Sequence, residues 1–598
     1  LTRDTIVDRF LKKTEEQAGK PALWAKREGK WKYMNWANYG KKCRLFAGGL
    51  VAHDIDVKES ICIIGYNCPE WVIADMGAMI ARVVPVGIYQ TNSPSEVAYI
   101  ANHCEAPLIV AEDREQWKKI DEKRDELEHL RLIVMMNEAE EVDDDMVISF
   151  DEFLEEGRTR LSEVDERVEG ISEDDLGTMI YTSGTTGPPK GVMLTHDNLS
   201  FTAGAAQEIV GGMEPDDCMV SYLPLSHIAE QMFTIHLAAT FGYPIWFAED
   251  ISKVREAIEV ARPTVFFGVP RVWEKFKAAL ENRLDEATGV KLKLLNWAQH
   301  VGKQAGQDII EYGEPQGSLK VQYGLAKRLV FNKLKEKLGF DRLRIAVSAA
   351  APIGIDVLEF FMSFDIIVRE IYGQSEDCGP TTCNYLEPGK TRLGSVGLPM
   401  PGVDVKIADD GEILVKGRNV FKGYYKMPDQ TDETLVDGWL HSGDIGRFDE
   451  DGFLYITDRK KDLIITAGGK NVAPQKIEKL LRKIDGIGQA AVIGDRRKFL
   501  SALLTIDPER APAVAEERGW PTDPEELAKH PEFRAYVEEG VEAANMELAR
   551  VETIKRFEIL PQDWSQQTDE LTPTQKVKRR VIDEKYEDEI ESMYADVS

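Results

Sequence analysis

The segment 181–191, YTSGTTGPPKG, gathers residues suited to holding an anion. Thr182, Ser183, Thr185 and Thr186 offer hydroxyls, and Lys190 adds a cation. Gly184, Gly187 and Gly191 permit the close approach and positive φ angles that turn backbone N–H groups toward phosphate oxygens. The loop is not a Walker A sequence, which needs G-x-x-x-x-G-K-[ST]. Here Pro188 and Pro189 separate Gly187 from Lys190. A flexible surface turn is the plain alternative, and so many hydroxyls around the glycines and lysine weaken it.

Such a loop needs a rigid base, and the apolar run 177–181 supplies a strand leading into it. Upstream, short apolar runs at 60–66, 83–88, 107–111 and 130–135 read as buried strands, with a helix at 69–81 after the first. Alternation of this kind predicts an α/β fold with parallel-type sheets and helices. Residues 1–10 read as an amphipathic helix, because charges interrupt every apolar run. Between Trp273 and Arg344 a charged segment with helical periodicity reads as a solvated helical insertion. The character changes near Gly397. VDVKIA and EILVKG flank Asp409-Asp410-Gly411, and Asp451-Gly452 precedes FLYIT, so 397–458 reads as a small antiparallel β unit. The charged run 458–462 is an ordinary loop or an interdomain hinge. Beyond it, strands such as AAVIG and SALLTI mix with helices. The predicted organisation is a large domain over 1–460, including the β unit, and a smaller α+β domain over 461–598.

Composition removes several classes of function. The chain of 598 residues is too long for one hydrophobic core. Its formal charge of −30 argues against nucleic acid as a main partner and disfavours strong adhesion to anionic lipid. No apolar run reaches 18 residues, so no transmembrane segment is expected, while peripheral membrane contact stays open. The seven cysteines are scattered without a C-x-x-C pair, which indicates packing roles and a reducing cytoplasm. The chain begins at Leu1 rather than Met, so a preceding targeting segment also stays open.

YTSGTTGPPKG resembles the phosphate-loop signature of the adenylate-forming superfamily, which includes acyl-CoA synthetases, luciferases and peptide-synthetase adenylation domains. Further resemblances follow in family order: LPLSHIAEQ at 223–231, IYGQSE at 371–376, GWLHSGDIG at 438–446, the segment 458–478, and LTPTQKVKR at 571–579. The resemblance implies ATP, Mg2+ and the co-substrate coenzyme A. It implies that Thr182, Ser183, Gly184, Thr185, Thr186 and Lys190 cradle the β- and γ-phosphates. Ala350, Tyr372, Gly373, Gln374 and Ser375 join the ATP- and AMP-binding set, with the Tyr372 ring a flat face for adenine. Glu376 is the implied carboxylate for Mg2+. Asp444 can accept hydrogen bonds from the ribose hydroxyls, with Arg459 beside it, and His227 has a gating or acyl-side role. Lys576 bridges the attacking carboxylate and the α-phosphate, where an ammonium offsets developing charge. The C-terminal domain then rotates about Lys461, and the stretch holding Gly468, Gly469 and Lys470 lines a tunnel for the pantetheine arm.

The chain length, the helical insertion and GIYQTNSPSE at 87–96 resemble long-chain synthetases of the bubblegum type. The implied reaction joins a fatty acid to ATP as acyl-AMP and then passes the acyl group to CoA. Some long-chain relatives carry an aromatic gate four residues after the histidine, where this chain has Gln231. A fatty acyl-AMP ligase loading a separate carrier protein is the alternative. A non-catalytic adenylate sensor is disfavoured, since Glu376 and Lys576 are both present. The sequence leaves oligomeric state open, a homodimer included.

Overall fold

Ser60–Ile64 reads SICII and is buried along its whole length, as a parallel strand covered on both faces must be. The same holds for Val84–Ile88 and Leu108–Ala111. These strands belong to a computed structural model that describes residues 3–182, 188–214, 216–460, 462–467, 470–565, 568–571 and 577–595. The described chain divides into two compact units. The first comprises Leu1–Val405, Val415–His441 and Gly452–Leu454; the second comprises Lys406–Leu414, Ser442–Asp451 and Tyr455–Ser598.

Two large sheets make up the first unit. One has eight strands in the order Gly423–Tyr424, Lys190–Thr195, Leu176–Thr182, Val84–Ile88, Ser60–Ile64, Leu108–Ala111, Leu132–Met135, Val147–Ser149. From Leu176–Thr182 to Val147–Ser149 all pairings are parallel, whereas Lys190–Thr195 and Gly423–Tyr424 add antiparallel strands at one edge. The other has nine strands, with a parallel centre that includes Met219–Ser221, Val265–Gly268, Ile345–Ser348 and Val368–Tyr372. Helices alternate with these strands, and the α/β expectation holds.

Several helix starts are written into the sequence by side chains that satisfy the orphan N–H groups of a first turn. Thr5 with Asp8, Ser93 with Glu96, and Ser149 with Glu152 form reciprocal capping boxes. The Thr5 cap places the first helix at Ile6–Glu16, later than the expected 1–10. The segment expected to be a solvated insertion folds into Pro270–Asp285, Gly289–Tyr312, Leu319–Ala326 and Asn332–Leu338, with a π turn at Lys327–Phe331. It is solvated on one side only. Ala298, Val301, Ala326 and Phe331 are buried with Phe364. A Cβ on Gly302 would meet the Ser363 carbonyl oxygen at 2.1 Å, so backbone packs on backbone there. Small residues carry that contact, which is why the charges around them dominated the pattern.

In the second unit Leu500–Ile506 pairs antiparallel with Ile487–Ile493 and parallel with Ile554–Leu560. Helices Pro474–Leu481 and Pro531–Met546 contribute Ile477, Leu481, Phe533, Val537 and Val541 to the core against that sheet. This matches the expected α+β character. Strands expected from the β unit occur at Val403–Ile407, Glu412–Gly417, Trp439–Phe448 and Leu454–Arg459, and their residues divide between the two units. Among the described residues, no helix is long and apolar enough to cross a membrane.

Candidate active site

Thr182 ends one strand of the eight-stranded sheet, and Lys190 begins the next, directly opposite it in an antiparallel register. Ser183, Gly184, Thr185 and Thr186 lie between them and outside the described residues. The hairpin thus holds the two ends of the expected phosphate loop side by side. Lys190 is fixed by more than its strand. Its Nζ sits 4.6 Å above the centre of the Tyr424 ring, within range of a cation–π attraction. The Tyr424 hydroxyl donates to Glu376 Oε1 at 2.7 Å. Burial and the neighbouring carboxylate both raise the Tyr424 pKa, which keeps the phenol protonated as a donor. Three residues from distant stretches of sequence therefore meet: the loop lysine, the tyrosine and the carboxylate.

Backbone pairing explains why they meet. Gly423–Tyr424 adds to the free side of Lys190–Thr195, with Tyr424 opposite Val192. Tyr425 N donates to Gly191 O, and Phe421 N donates to Glu376 O, both at 2.8 Å. Tyr424 is the residue that sequence reading missed. Its only local signal is the aromatic pair in FKGYYK, and its role comes from strand pairing across the chain.

The other expected nucleotide-side residues of this unit follow the C-terminal ends of two paired parallel strands, where ligands of such sheets bind. Ala350 comes just after Ile345–Ser348 with φ of 72°, a left-handed conformation uncommon outside glycine and concentrated at functional sites. Tyr372 ends Val368–Tyr372 and is buried. At Gly373 an added Cβ would lie 1.5 Å from the Gly379 carbonyl oxygen, so only glycine fits this turn. Ser375–Asp377 is a short 3-10 turn. Asp377 fixes it by accepting from Gln374 N at 2.7 Å and from the Thr381 hydroxyl at 2.6 Å. Glu376 is carried on this turn, half-buried. No cluster of three metal-binding side chains occurs among the described residues. One carboxylate suits Mg2+, which keeps waters and takes its remaining ligands from substrate phosphates.

His227 lies beyond Met219–Ser221 and caps the helix Ile228–Gln231, its Nδ1 accepting from Ala229 N at 3.2 Å. Asn67 anchors the approach to it, donating to Ser221 Oγ at 2.8 Å and Leu223 O at 2.7 Å. The next helical turn is buried and polar. Glu230 accepts from the Ser221 and Thr234 hydroxyls at 2.6 and 2.8 Å, and burial pushes its pKa up to about 7. Both amide atoms of Gln231 are buried without a protein partner among the described residues. The helix continues through a π turn, Met232–His236.

In the second unit, Arg459 Nε donates to Asp444 Oδ1 at 3.1 Å, pairing the two expected ribose-side residues. Lys460 ion-pairs with Asp410 at 2.6 Å and Glu412 at 2.9 Å. Lys461, Gly468, Gly469 and Lys576 lie outside the described residues. Lys470 is described and exposed; its N–H donates to Thr466 Oγ1 at 3.2 Å. Leu571 and Val577, flanking the segment of Lys576, form an antiparallel bridge.

A family model described as "AMP-binding enzyme" matches residues 10–425, a span that holds the hairpin, the Glu376 turn and Tyr424. The chain is a member of the AMP-binding enzyme family. A second model, the C-terminal domain of AMP-binding enzymes, matches 461–598 of this AMP-binding enzyme. It is 38% identical over 628 residues to the long-chain-fatty-acid–CoA ligase ACSBG2 of Xenopus laevis, covering 99% of this chain and 84% of the relative. With the human protein of the same name identity is 35% over 625 residues, covering 99% and 92%. Its fold matches the crystal structure of the anthranilate CoA ligase AuaEII in complex with anthranoyl-AMP, with a TM-score of 0.73 at 18% identity over 98% of both chains.

Proposed function

We propose that this AMP-binding enzyme is an ATP-dependent long-chain acyl-CoA synthetase. It joins a fatty acid to ATP as acyl-AMP with release of pyrophosphate, then passes the acyl group to the thiol of CoA with release of AMP. The observation that carries the reading is the contact of Lys190, Tyr424 and Glu376, which links the cation that ends the hydroxyl-rich segment, through one ring, to a carboxylate. Extended similarity to relatives named long-chain-fatty-acid–CoA ligases supports the choice of acid.

In this reading the loop hydroxyls and Lys190 hold the β- and γ-phosphates, and Glu376 holds the Mg2+ that accompanies them. Tyr424 is a positioning residue for both. Tyr372 lies against adenine, with Ala350, Gly373, Gln374 and Ser375 around it, while Asp444 and Arg459 take the ribose. His227 stands on the acyl side. Lys576 offsets the charge that develops as the carboxylate attacks the α-phosphate. Thioester formation needs no cation there, so the domain beginning near Lys461 turns and brings Gly468, Gly469 and Lys470 to the pantetheine arm. The cysteines, free and with one exception buried, suit a reducing compartment, and we assign the enzyme to the cytoplasm.

The test is AMP formation by the purified enzyme with ATP and Mg2+, across acids from acetate to oleate, with and without CoA. Release that requires CoA and peaks with long acids is expected. Pyrophosphate release without any CoA requirement would replace the reading with an acyl-AMP ligase, and a response restricted to aromatic acids would replace it with an aryl-CoA ligase.

A further inference from the structure

The outer side of the helical insertion differs from the rest of this acidic chain. Residues 318–338 contain Lys320, Lys327, Arg328, Lys333, Lys335 and Lys337 against one acid, Glu336. From 287 to 307 there are Lys291, Lys293 and Lys303 and no carboxylate. The whole chain carries −30, so this cationic stretch runs against the trend.

Its geometry separates an inner from an outer face. Lys335 is buried and ion-paired with Asp365 at 2.6 Å, and the Tyr323 hydroxyl donates to the same carboxylate. Ala326 and Phe331 pack inward. Those contacts leave Val321, Leu325 and Leu329, four residues apart in turn, pointing to solvent with 77%, 50% and 38% exposure. Val290 and Leu292, early in Gly289–Tyr312, are exposed as well. In the same insertion Lys291, Lys293, Arg328, Lys333 and Lys337 are exposed and make no ion pair among the described residues, and Lys333 and Lys337 continue the four-residue spacing of Val321, Leu325 and Leu329. Acidic neighbours are present but committed: Glu314 is paired with Lys320, and Asp308 accepts from Gln316 N. Glu286, Glu311 and Glu336 are exposed in the insertion as well, and are outnumbered by its cations.

We infer that this face docks the enzyme on the surface of an anionic lipid bilayer. An exposed apolar row flanked by cations is the pattern of a helix lying in a membrane interface. Val321, Leu325 and Leu329 enter the headgroup layer, and the lysine stems follow them while the ammonium groups meet lipid phosphates. The acidic surface of a second copy would satisfy the cations but offers nothing to the apolar row, so the bilayer is the better occupant. The net negative charge of the chain then favours an orientation that presents this cationic face to the lipid.

The experiment is co-sedimentation of the full chain with vesicles of phosphatidylcholine alone and of phosphatidylcholine mixed with phosphatidylglycerol. It reads binding without turnover, so it is independent of the proposed reaction. Binding to the mixed vesicles is expected, weakening as salt is added. Arg328→Glu with Lys333→Glu and Lys337→Glu should lower the partition roughly 100-fold or more, at about fivefold per cation near such a surface. Val321→Asp with Leu325→Asp should lower it on the same vesicles, and unchanged thermal unfolding would show that both variants fold. The inference is overturned if the parent protein ignores the mixed vesicles at low salt. It is also overturned if the charge-reversed protein binds them equally, or if the parent forms a lipid-free dimer that the charge reversal dissolves.

Discussion

The two units hold their candidate site residues in different ways. In the first, Lys190, Tyr424 and Glu376 come from three distant stretches and are locked by strand pairing, a buried ring and a charge-assisted hydrogen bond. In the second, the solvent-reaching cations Arg459 and Lys460, 39% and 44% exposed, meet the buried carboxylates Asp444 and Glu412, and Lys460 also pairs with exposed Asp410. Groups linked through a buried ring and its hydrogen bond resist rearrangement, whereas ion pairs whose cation stays in solvent exchange more easily. The contrast suits a reaction in two steps: the contacts of the first unit are set before substrate arrives, and those of the second can be remade.

The largest test of that division is Lys576→Ala. Removing the cation should slow pyrophosphate release from ATP and fatty acid by roughly 100-fold or more, the scale of one lost electrostatic contact to the reacting group. Thioester formation from supplied acyl-adenylate and CoA should stay close to the parent rate. Rapid-quench measurement of the two half-reactions separates them. Equal losses in both would end the idea that the second unit serves the steps with different residues.

The second test probes burial in the first unit. Glu230 has its pKa raised to about 7 by burial, so the folded protein holds a proton that the unfolded chain releases near pH 4.5. A raised carboxyl means that the folded state binds more protons between those values, and stability falls as pH rises from about 4.5 to 7. Ionised Glu230 therefore costs the fold on the order of 3 kcal/mol above pH 7. Glu230→Gln should flatten that decline by a similar amount, read from urea unfolding of both proteins at pH 5 and pH 8. A parallel pH dependence in the two proteins would show that the Ser221 and Thr234 hydroxyls already stabilise the anion.

Much of this was legible in the sequence, for identifiable reasons. Strands such as Ser60–Ile64 and Leu500–Ile506 announce themselves because both faces are buried and every residue is apolar or small. The candidate phosphate hairpin is legible because glycine and hydroxyl residues crowd there in numbers that a packed core would not select. Tyr424 is not, since its part depends on an edge strand joining Lys190–Thr195 from far along the chain. The inner face of the insertion is hidden for another reason. Alanine and glycine carry its contact and leave only a weak apolar period beneath the charges. The partnership of Asp444 with Arg459 could be suspected from order alone, but its distance could not.

The smallest effect is the sharpest for the comparison, because it removes one hydroxyl and nothing else. Tyr424→Phe keeps the ring beneath Lys190 and deletes the donor to Glu376. A hydrogen bond to a charged, half-buried group is worth about 1–2 kcal/mol, so the Mg2+ concentration needed for half-maximal acyl-AMP formation should rise roughly fivefold to thirtyfold. The maximal rate at saturating Mg2+ should change less, since the carboxylate itself remains. The shift should also persist in high salt, because a short, largely buried contact is poorly screened. A salt-sensitive shift would mean that the first unit holds Glu376 no more firmly than the second holds Arg459. No shift would mean that water replaces the hydroxyl at no cost, and the lock on Glu376 would then reduce to its backbone turn.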